Sequence, residues 1–240
     1  MDNLAKRVSK ILKQEKKIKF FRKIILRWGE KHFQIFPWRT TDDPYKILMA
    51  EIMLHRTQAK QVLPVYKKFI QRFPNIDSLT EAKTSEINTL MASLGLKWRI
   101  NLVKQIATFI NNNNSSKIPS NKSLLLKLPG VSEYIASAVL CFSWNHPEPI
   151  IDTNTMRIVC RYFGIICKDH YRRNKQFRKL MGALLVDKRA KDYNYALLDF
   201  GHEICTKRRP QCPKCPVSKH CVYWQKGHKI KKTNAQENRN

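Results

Sequence analysis

Apolar residues recur along most of this chain with the 3.6-residue period of an α-helix, and no stretch alternates as a half-buried strand does. The pattern predicts one long helix from Leu4 to His32, with Ile11, Leu12, Ile18, Phe21, Ile25 and Leu26 as its apolar positions on an otherwise basic element. Pro37 breaks this segment. A second helix is predicted after Asp43-Pro44, where the aspartate can cap and the proline fits the first turn, and it runs through YKILMAEIML. Further helices are predicted near Ala59 to Phe73, Ser85 to Ser93, Lys97 to Asn111, Leu124 to Lys127, Glu133 to Phe142, Thr155 to Phe163, Asn174 to Leu185 and Asp192 to Phe200. With only seven glycines in 240 residues, the expected fold class is all-α. Asn111 to Ser116, four asparagines and two serines, reads as a polar linker, and there is no internal repeat. After Trp224 the tail QKGHKIKKTNAQENRN has almost no apolar residues and is expected to be disordered.

Charge adds a partner to this picture. Forty-six Lys plus Arg against 18 Asp plus Glu leave a formal charge of +28, spread from Lys6 through Lys232. A surplus distributed along the whole chain marks a polyanion-binding protein more often than a solvated surface of unusual sign. Membrane surfaces also attract cations, but no stretch approaches the ~20 apolar residues of a membrane span, and the N-terminus lacks a signal peptide's apolar segment. Seven cysteines, an odd number, argue against a secreted disulfide scaffold. The expected location is intracellular.

Four of those cysteines, Cys205, Cys212, Cys215 and Cys221, are spaced C-x6-C-x2-C-x5-C. Four thiolates gathered by short loops can hold one tetrahedral zinc or bind the irons of a [4Fe-4S] cluster. Zinc sites usually come as two close knuckles, and only Cys212 and Cys215 form a close pair here. Cys141, Cys160 and Cys167 lie in apolar segments and read as small core residues.

The run from Leu197 to Cys221, LLDFGHEIC followed by TKRRPQCPKCPVSKHC, resembles the iron–sulfur loop of the endonuclease III superfamily of DNA glycosylases. LPGVSEYIASAVL, Leu128 to Leu140, resembles the helix–hairpin–helix of the same superfamily. The resemblance covers Phe36 to Trp224. It implies a two-lobed helical fold: a barrel domain at 38–146 containing the hairpin, a discontinuous domain from 1–37 and 147–225 carrying a [4Fe-4S] cluster on the four cysteines, and a basic tail at 226–240. It also implies double-stranded DNA with a mismatched or damaged base as partner, a monomer, and a place with the DNA of a prokaryotic cytoplasm.

Residue by residue, the resemblance marks two sets of positions. In the hairpin, Leu128, Gly130 and Ser132 bring backbone N–H groups at a helix start toward a phosphate. Ser132 stands where the family usually has its second glycine, so the turn either tolerates a side chain or is distorted. Lys207, Arg208 and Arg209, between the first two cysteines, present three cations to phosphates. Arg56, with His55 and Gln58, follows the helix of Glu51 where relatives fill the gap left by a flipped base. Lys97 and Arg99, around Trp98, lie where relatives probe the opposite strand.

Three residues carry the implied chemistry. Asp152, which locally reads as a helix cap or a solvated carboxylate with Thr153 or Asn154 also able to cap, matches the aspartate that faces the sugar of the extruded nucleotide. Glu51, a carboxylate on an apolar helix, reads locally as half of a buried ion pair and by resemblance as the group facing the target base. Tyr134 occupies the position of the lysine that forms a Schiff base in bifunctional members, and tyrosine there is similar to the thymine/uracil mismatch glycosylases of archaea. The expected function is monofunctional excision of thymine or uracil opposite guanine. The alternatives are an adenine glycosylase whose chain ends before an opposite-base domain, and a non-catalytic DNA-binding protein on the same fold.

Overall fold

The structure is a computed structural model that describes residues 4–95, 98–114 and 116–227. Twelve α-helices are assigned along it: α1 Leu4–Leu12, α2 Glu15–His32, α3 Pro44–Leu54, α4 Ala59–Arg72, α5 Ile76–Glu81, α6 Thr84–Met91, α7 Trp98–Asn114, α8 Lys122–Leu125, α9 Glu133–Trp144, α10 Thr153–Phe163, α11 Lys175–Ala183 and α12 Ala190–Glu203. Residues 222–227 are also helical, and there is no strand among the described residues. None of the described helices is long and apolar enough to cross a membrane. The chain divides into two compact units, residues 35–148 and residues 1–34 with 149–240.

In the unit formed by the chain's two ends, one apolar core runs from Leu4, Val8, Phe21 and Ile25 through Val159, Phe177 and Leu197 to Val217 and Cys221. α1 packs on α11, and α2 lies along α12. These different partners explain why the single helix expected from Leu4 to His32 is two helices, separated at Lys13 and Gln14. The apolar periodicity continues through the break, so tertiary packing decides it. Gly29 lets α2 approach α12 closely: a Cβ there would lie 2.3 Å from that of Ala196.

The 35–148 unit is organised around α3, whose residues from Tyr45 to Met53 are buried apart from the partly exposed Lys46. Asp43 caps it, accepting from the Tyr45 and Lys46 amides at 2.9 and 3.4 Å, with Pro44 in the first turn as expected. α9, buried from Ile135 to Ser143, packs against α3, which also meets α4 and α7. Two expectations fail in this unit. α7 continues to Asn114, through most of the expected asparagine linker. α5 lacks a predicted counterpart, although Asn75 and Ser78 form a reciprocal capping box at its start. In the tail, residues 226 and 227 belong to a helix and not to a disordered segment; residues 228–240 lie outside the described residues.

Candidate functional site

Glu51 lies in the penultimate turn of α3 with 6 % of its surface exposed. The helix carrying it is apolar on every side, so its carboxylate sits in a poorly solvated setting. Tyr134 is half-buried in the first turn of α9, the helix packed on α3.

The hairpin leading to Tyr134 forms from local sequence rules. Gly130 takes φ +65, where a side chain is strained, and a Cβ there would also strike Leu102 at 2.5 Å. Ser132 has φ −82 and ψ 167, an ordinary extended conformation, and its hydroxyl accepts from the Ile135 amide at 3.3 Å. The turn therefore tolerates this serine, which caps α9. Gly130 and Ser132 are exposed; Leu128 is not, at 2 %. The Leu128 side chain anchors the hairpin in the core, and the expected phosphate contact concerns the backbone N–H groups of the turn. Leu124 and Leu126, 42 % and 37 % exposed, are the outward apolar residues here. Lys122 bridges the hairpin's helices, with Nζ 2.7 Å from Glu148 Oε2 and 3.4 Å from Glu133 Oε2, while the Ser137 hydroxyl donates to the same Glu148 oxygen at 3.0 Å.

Arg56 and Gln58 are exposed after α3, and Trp98 is 47 % exposed. His55 meets the Trp98 ring edge to face at 5.6 Å; burial, then the charges of Arg56 and Arg99, lower its pKa. Lys97 lies outside the described residues. Arg99 overturns its expectation. It is fully buried, with Nη1 donating to the Met53 carbonyl at 2.8 Å and Nη2 to the His55 carbonyl and, at 2.9 Å, to Thr57 Oγ1. A guanidinium so enclosed does not reach a DNA strand, because its fork is committed to backbone within its own unit.

In the other unit, Asp152 is itself the cap of α10, not Thr153 or Asn154. Its Oδ1 accepts from the Asn154 and Thr155 amides at 2.9 and 2.7 Å, its Oδ2 from Asn154 Nδ2 at 3.0 Å, and Thr155 Oγ1 accepts from the Asp152 amide in return. The local reading as a cap is thus realised, and the same contacts fix the carboxylate's orientation. The segment before it is held where the Ile150 amide donates to Asn194 Oδ1 at 3.3 Å.

Sequence reasoning passed over what lies behind Asp152. Asn154 Oδ1 accepts from Arg157 Nη1 at 2.9 Å, and the same guanidinium donates to the carbonyls of Cys205 and Gly201, each at 2.8 Å. One turn on, Arg161 donates to the carbonyls of Thr206 and Lys207 at 2.7 and 2.9 Å and lies 3.5 Å from Cys205 Sγ. The signal was present: in the helix TNTMRIVCRYF, Arg157 and Arg161 lie four apart and Asn154 three before the first, so that they form one polar stripe.

Above them, Cys205, Cys212, Cys215 and Cys221 line one hollow of about 340 Å³, counting its open mouth, with Ile158, Phe200 and Val217 among its apolar walls. Burial raises the thiols of Cys212, Cys215 and Cys221, that of Cys215 to about 12. Among the described residues, no three His, Cys, Asp or Glu side chains converge tightly enough to hold one metal ion. Four thiols lining one hollow match the donor set of a [4Fe-4S] cluster, one thiolate for each iron. Lys207, Arg208 and Arg209 are exposed. Cys141 and Cys160 are buried as expected; Cys167 is exposed, since it follows the Gly164 turn that ends α10.

Residues 49–182 match the HhH-GPD superfamily of base excision DNA repair proteins. The chain is 35 % identical over 221 residues to a thymine/uracil-DNA glycosylase of Pyrobaculum aerophilum, covering 88 % of this chain and 94 % of that protein. It is 34 % identical to an adenine DNA glycosylase of Buchnera aphidicola subsp. Baizongia pistaciae, covering 84 % of this chain and 57 % of that protein. The solved structure of a thermostable thymine-DNA glycosylase superposes with a TM-score of 0.83 at 34 % identity, covering 88 % of this chain and 98 % of that one. The hairpin, the helices and the likeness over most of the chain lead to one conclusion: this protein belongs to the HhH-GPD superfamily of base excision DNA repair proteins.

Proposed function

We propose that this protein is a monofunctional DNA glycosylase that extrudes thymine or uracil mispaired with guanine from duplex DNA and hydrolyses its N-glycosidic bond. DNA N-glycosylase activity follows the family and the names of its relatives. The finer assignment is carried by a likeness to thymine/uracil-DNA glycosylases that spans most of the chain and accompanies a phenol, Tyr134, at the position where lyase chemistry requires an amine.

The proposed chemistry divides among three side chains. Bond cleavage builds oxocarbenium-like positive charge at C1′, and the Asp152 carboxylate, oriented by three hydrogen bonds, opposes it. Glu51, buried on α3, donates a hydrogen bond or proton to the departing base. Tyr134, half-buried at the start of α9, offers a phenol and no amine, so it forms no Schiff base. Ser132 and the α9 N-terminus, with Lys207, Arg208 and Arg209, hold phosphates, and Arg56 enters the gap left by the extruded base. A [4Fe-4S] cluster on Cys205, Cys212, Cys215 and Cys221 completes the proposal; when bound, it supplies a rigid tie among four points of the loop that presents the three cations.

The test is a panel of duplexes carrying T·G, U·G, A·G and thymine glycol. The wild-type protein is expected to release thymine and uracil, leaving an abasic strand that breaks only in alkali. Asp152→Asn is expected to bind the same duplex and to release base at least about 10³-fold more slowly, since asparagine caps as well as aspartate but opposes no charge. A borohydride-trapped protein–DNA adduct at wild-type rates would overturn the monofunctional assignment. Release of adenine alone would favour the adenine glycosylase reading.

A further inference from the structure

Arg99 is a large, permanently charged side chain with 0 % exposure, and the acceptors it reaches are two carbonyls and a hydroxyl, all neutral. Its Nε has no hydrogen-bond partner among the described residues. Burying a guanidinium on such terms is unfavourable unless what it holds matters. What it holds is one short stretch: the Met53 carbonyl in the last turn of α3, the His55 carbonyl, and Thr57 Oγ1.

That stretch ends α3 in a turn closed by one backbone hydrogen bond, the Thr57 amide donating to the Leu54 carbonyl at 3.1 Å, without a glycine. α3 has no basic residue in its last turn, and its C-cap, His55, sits at φ −59 and ψ 108 with no left-handed glycine beyond it. The left-handed residue is Arg56, at φ +60, one of three non-glycine residues with positive φ among those described. A long side chain rarely adopts this conformation unless its surroundings impose it. Both neighbours of Arg56, His55 and Thr57, are tied to the same guanidinium, while Arg56 is exposed.

We infer that Arg99 is a positioning residue: its guanidinium closes the C-terminal end of α3 and clamps residues 55–57 so that Arg56 is presented outward in a strained, ready conformation. The clamp acts on base extrusion and not on bond cleavage. This role for Arg56 rests on the glycosylase reading; the clamp itself does not. Lysine cannot replace Arg99, because a single ammonium lacks the planar fork that reaches three acceptors from one buried position.

Two readouts keep the two claims apart. Hydrogen–deuterium exchange reports the clamp without any activity: in Arg99→Lys, amides of residues 54–58 are expected to exchange at least about tenfold faster, with α2 in the other unit unchanged. Single-turnover base release from a T·G duplex then reports its use. Arg99→Lys and Arg56→Ala are each expected to slow release about tenfold or more, and the double variant to be no more than about twofold slower than the slower single one, since both remove one device. If Arg99→Lys does not fold, Thr57→Val removes one acceptor and is put to the same measurements. Unchanged exchange at 54–58 overturns the clamp. Losses that multiply in the double variant overturn its action through Arg56. A wild-type protein that releases no base overturns the glycosylase reading, with the exchange result still deciding the clamp.

Discussion

The hairpin of the 35–148 unit and the cysteine loop of the other unit are proposed to do the same job, gripping phosphates, yet they are held by different physics. Around the hairpin, Leu125, Leu128, Val131 and Ile135 are buried to between 0 and 7 % exposure. Burying such side chains stabilises by about 1.5–3 kcal/mol each, so the turn is secured by its own packing. From Cys205 to Cys221 only Val217 and Cys221 are buried. The loop instead rests on hydrogen bonds, from Arg157 to the Cys205 carbonyl, from Arg161 to the Thr206 and Lys207 carbonyls, and from the Gln211 amide to the Ile204 carbonyl at 2.9 Å. Each adds about 1 kcal/mol net, too little to fix a loop of this length without another tie. A surface element can be made rigid by apolar anchors or by covalent ones; the hairpin uses the first, and the proposed cluster on the four cysteines would supply the second.

The largest effect that bears on this contrast comes from removing a cysteine. Purified protein is expected to be brown, with about four iron per chain; Cys215→Ser should lose the iron, lower Tm and weaken duplex binding at least about tenfold, because the three cations lose their anchor. Colourless, folded, zinc-loaded wild-type protein would show that the match to a [4Fe-4S] donor set is misread.

How much of this was legible in the sequence follows the same division. The hairpin, with its Pro-Gly turn, serine cap and apolar helix, is specified by neighbours in the chain, and so is α3 with Asp43 and Pro44. The cysteine spacing is legible as well. What was not legible depends on partners far apart. The break at Lys13 and Gln14 follows from α1 and α2 choosing different helices. Arg99 was itself expected to meet DNA, and its place in the chain does not reveal which way its side chain turns. Arg99 bonds to residues 42 to 46 positions away, and Arg157 to Cys205, 48 away. No periodicity records such contacts.

A middle-sized effect sharpens the electrostatic half of the comparison. Arg208→Ala leaves the loop's supports untouched, since Arg157 and Arg161 bond to other residues. It is expected to reduce the slope of log K against log salt by roughly 1 for any duplex, with base release at saturating protein unchanged. An unchanged slope would mean that the loop's cations face solvent and not DNA.

The smallest expected effect falls on the hairpin, where the contrast predicts tolerance. Ser132 contributes one 3.3 Å hydrogen bond to the Ile135 amide in an extended conformation that glycine also adopts. Replacing a capping serine by glycine costs only a few tenths of a kcal/mol, against several kcal/mol from the four buried anchors of the turn. Ser132→Gly should therefore lower Tm by no more than about 1–2 °C, taking roughly 2–4 °C per kcal/mol for a chain of this size, and leave duplex affinity within about twofold. Leu128→Ala removes an anchor instead and should cost about 2–5 kcal/mol with a clear loss of affinity. If Ser132→Gly were the more damaging of the two, the hairpin would depend on its cap and not on its packing, and the distinction drawn between the two phosphate-gripping elements would fail.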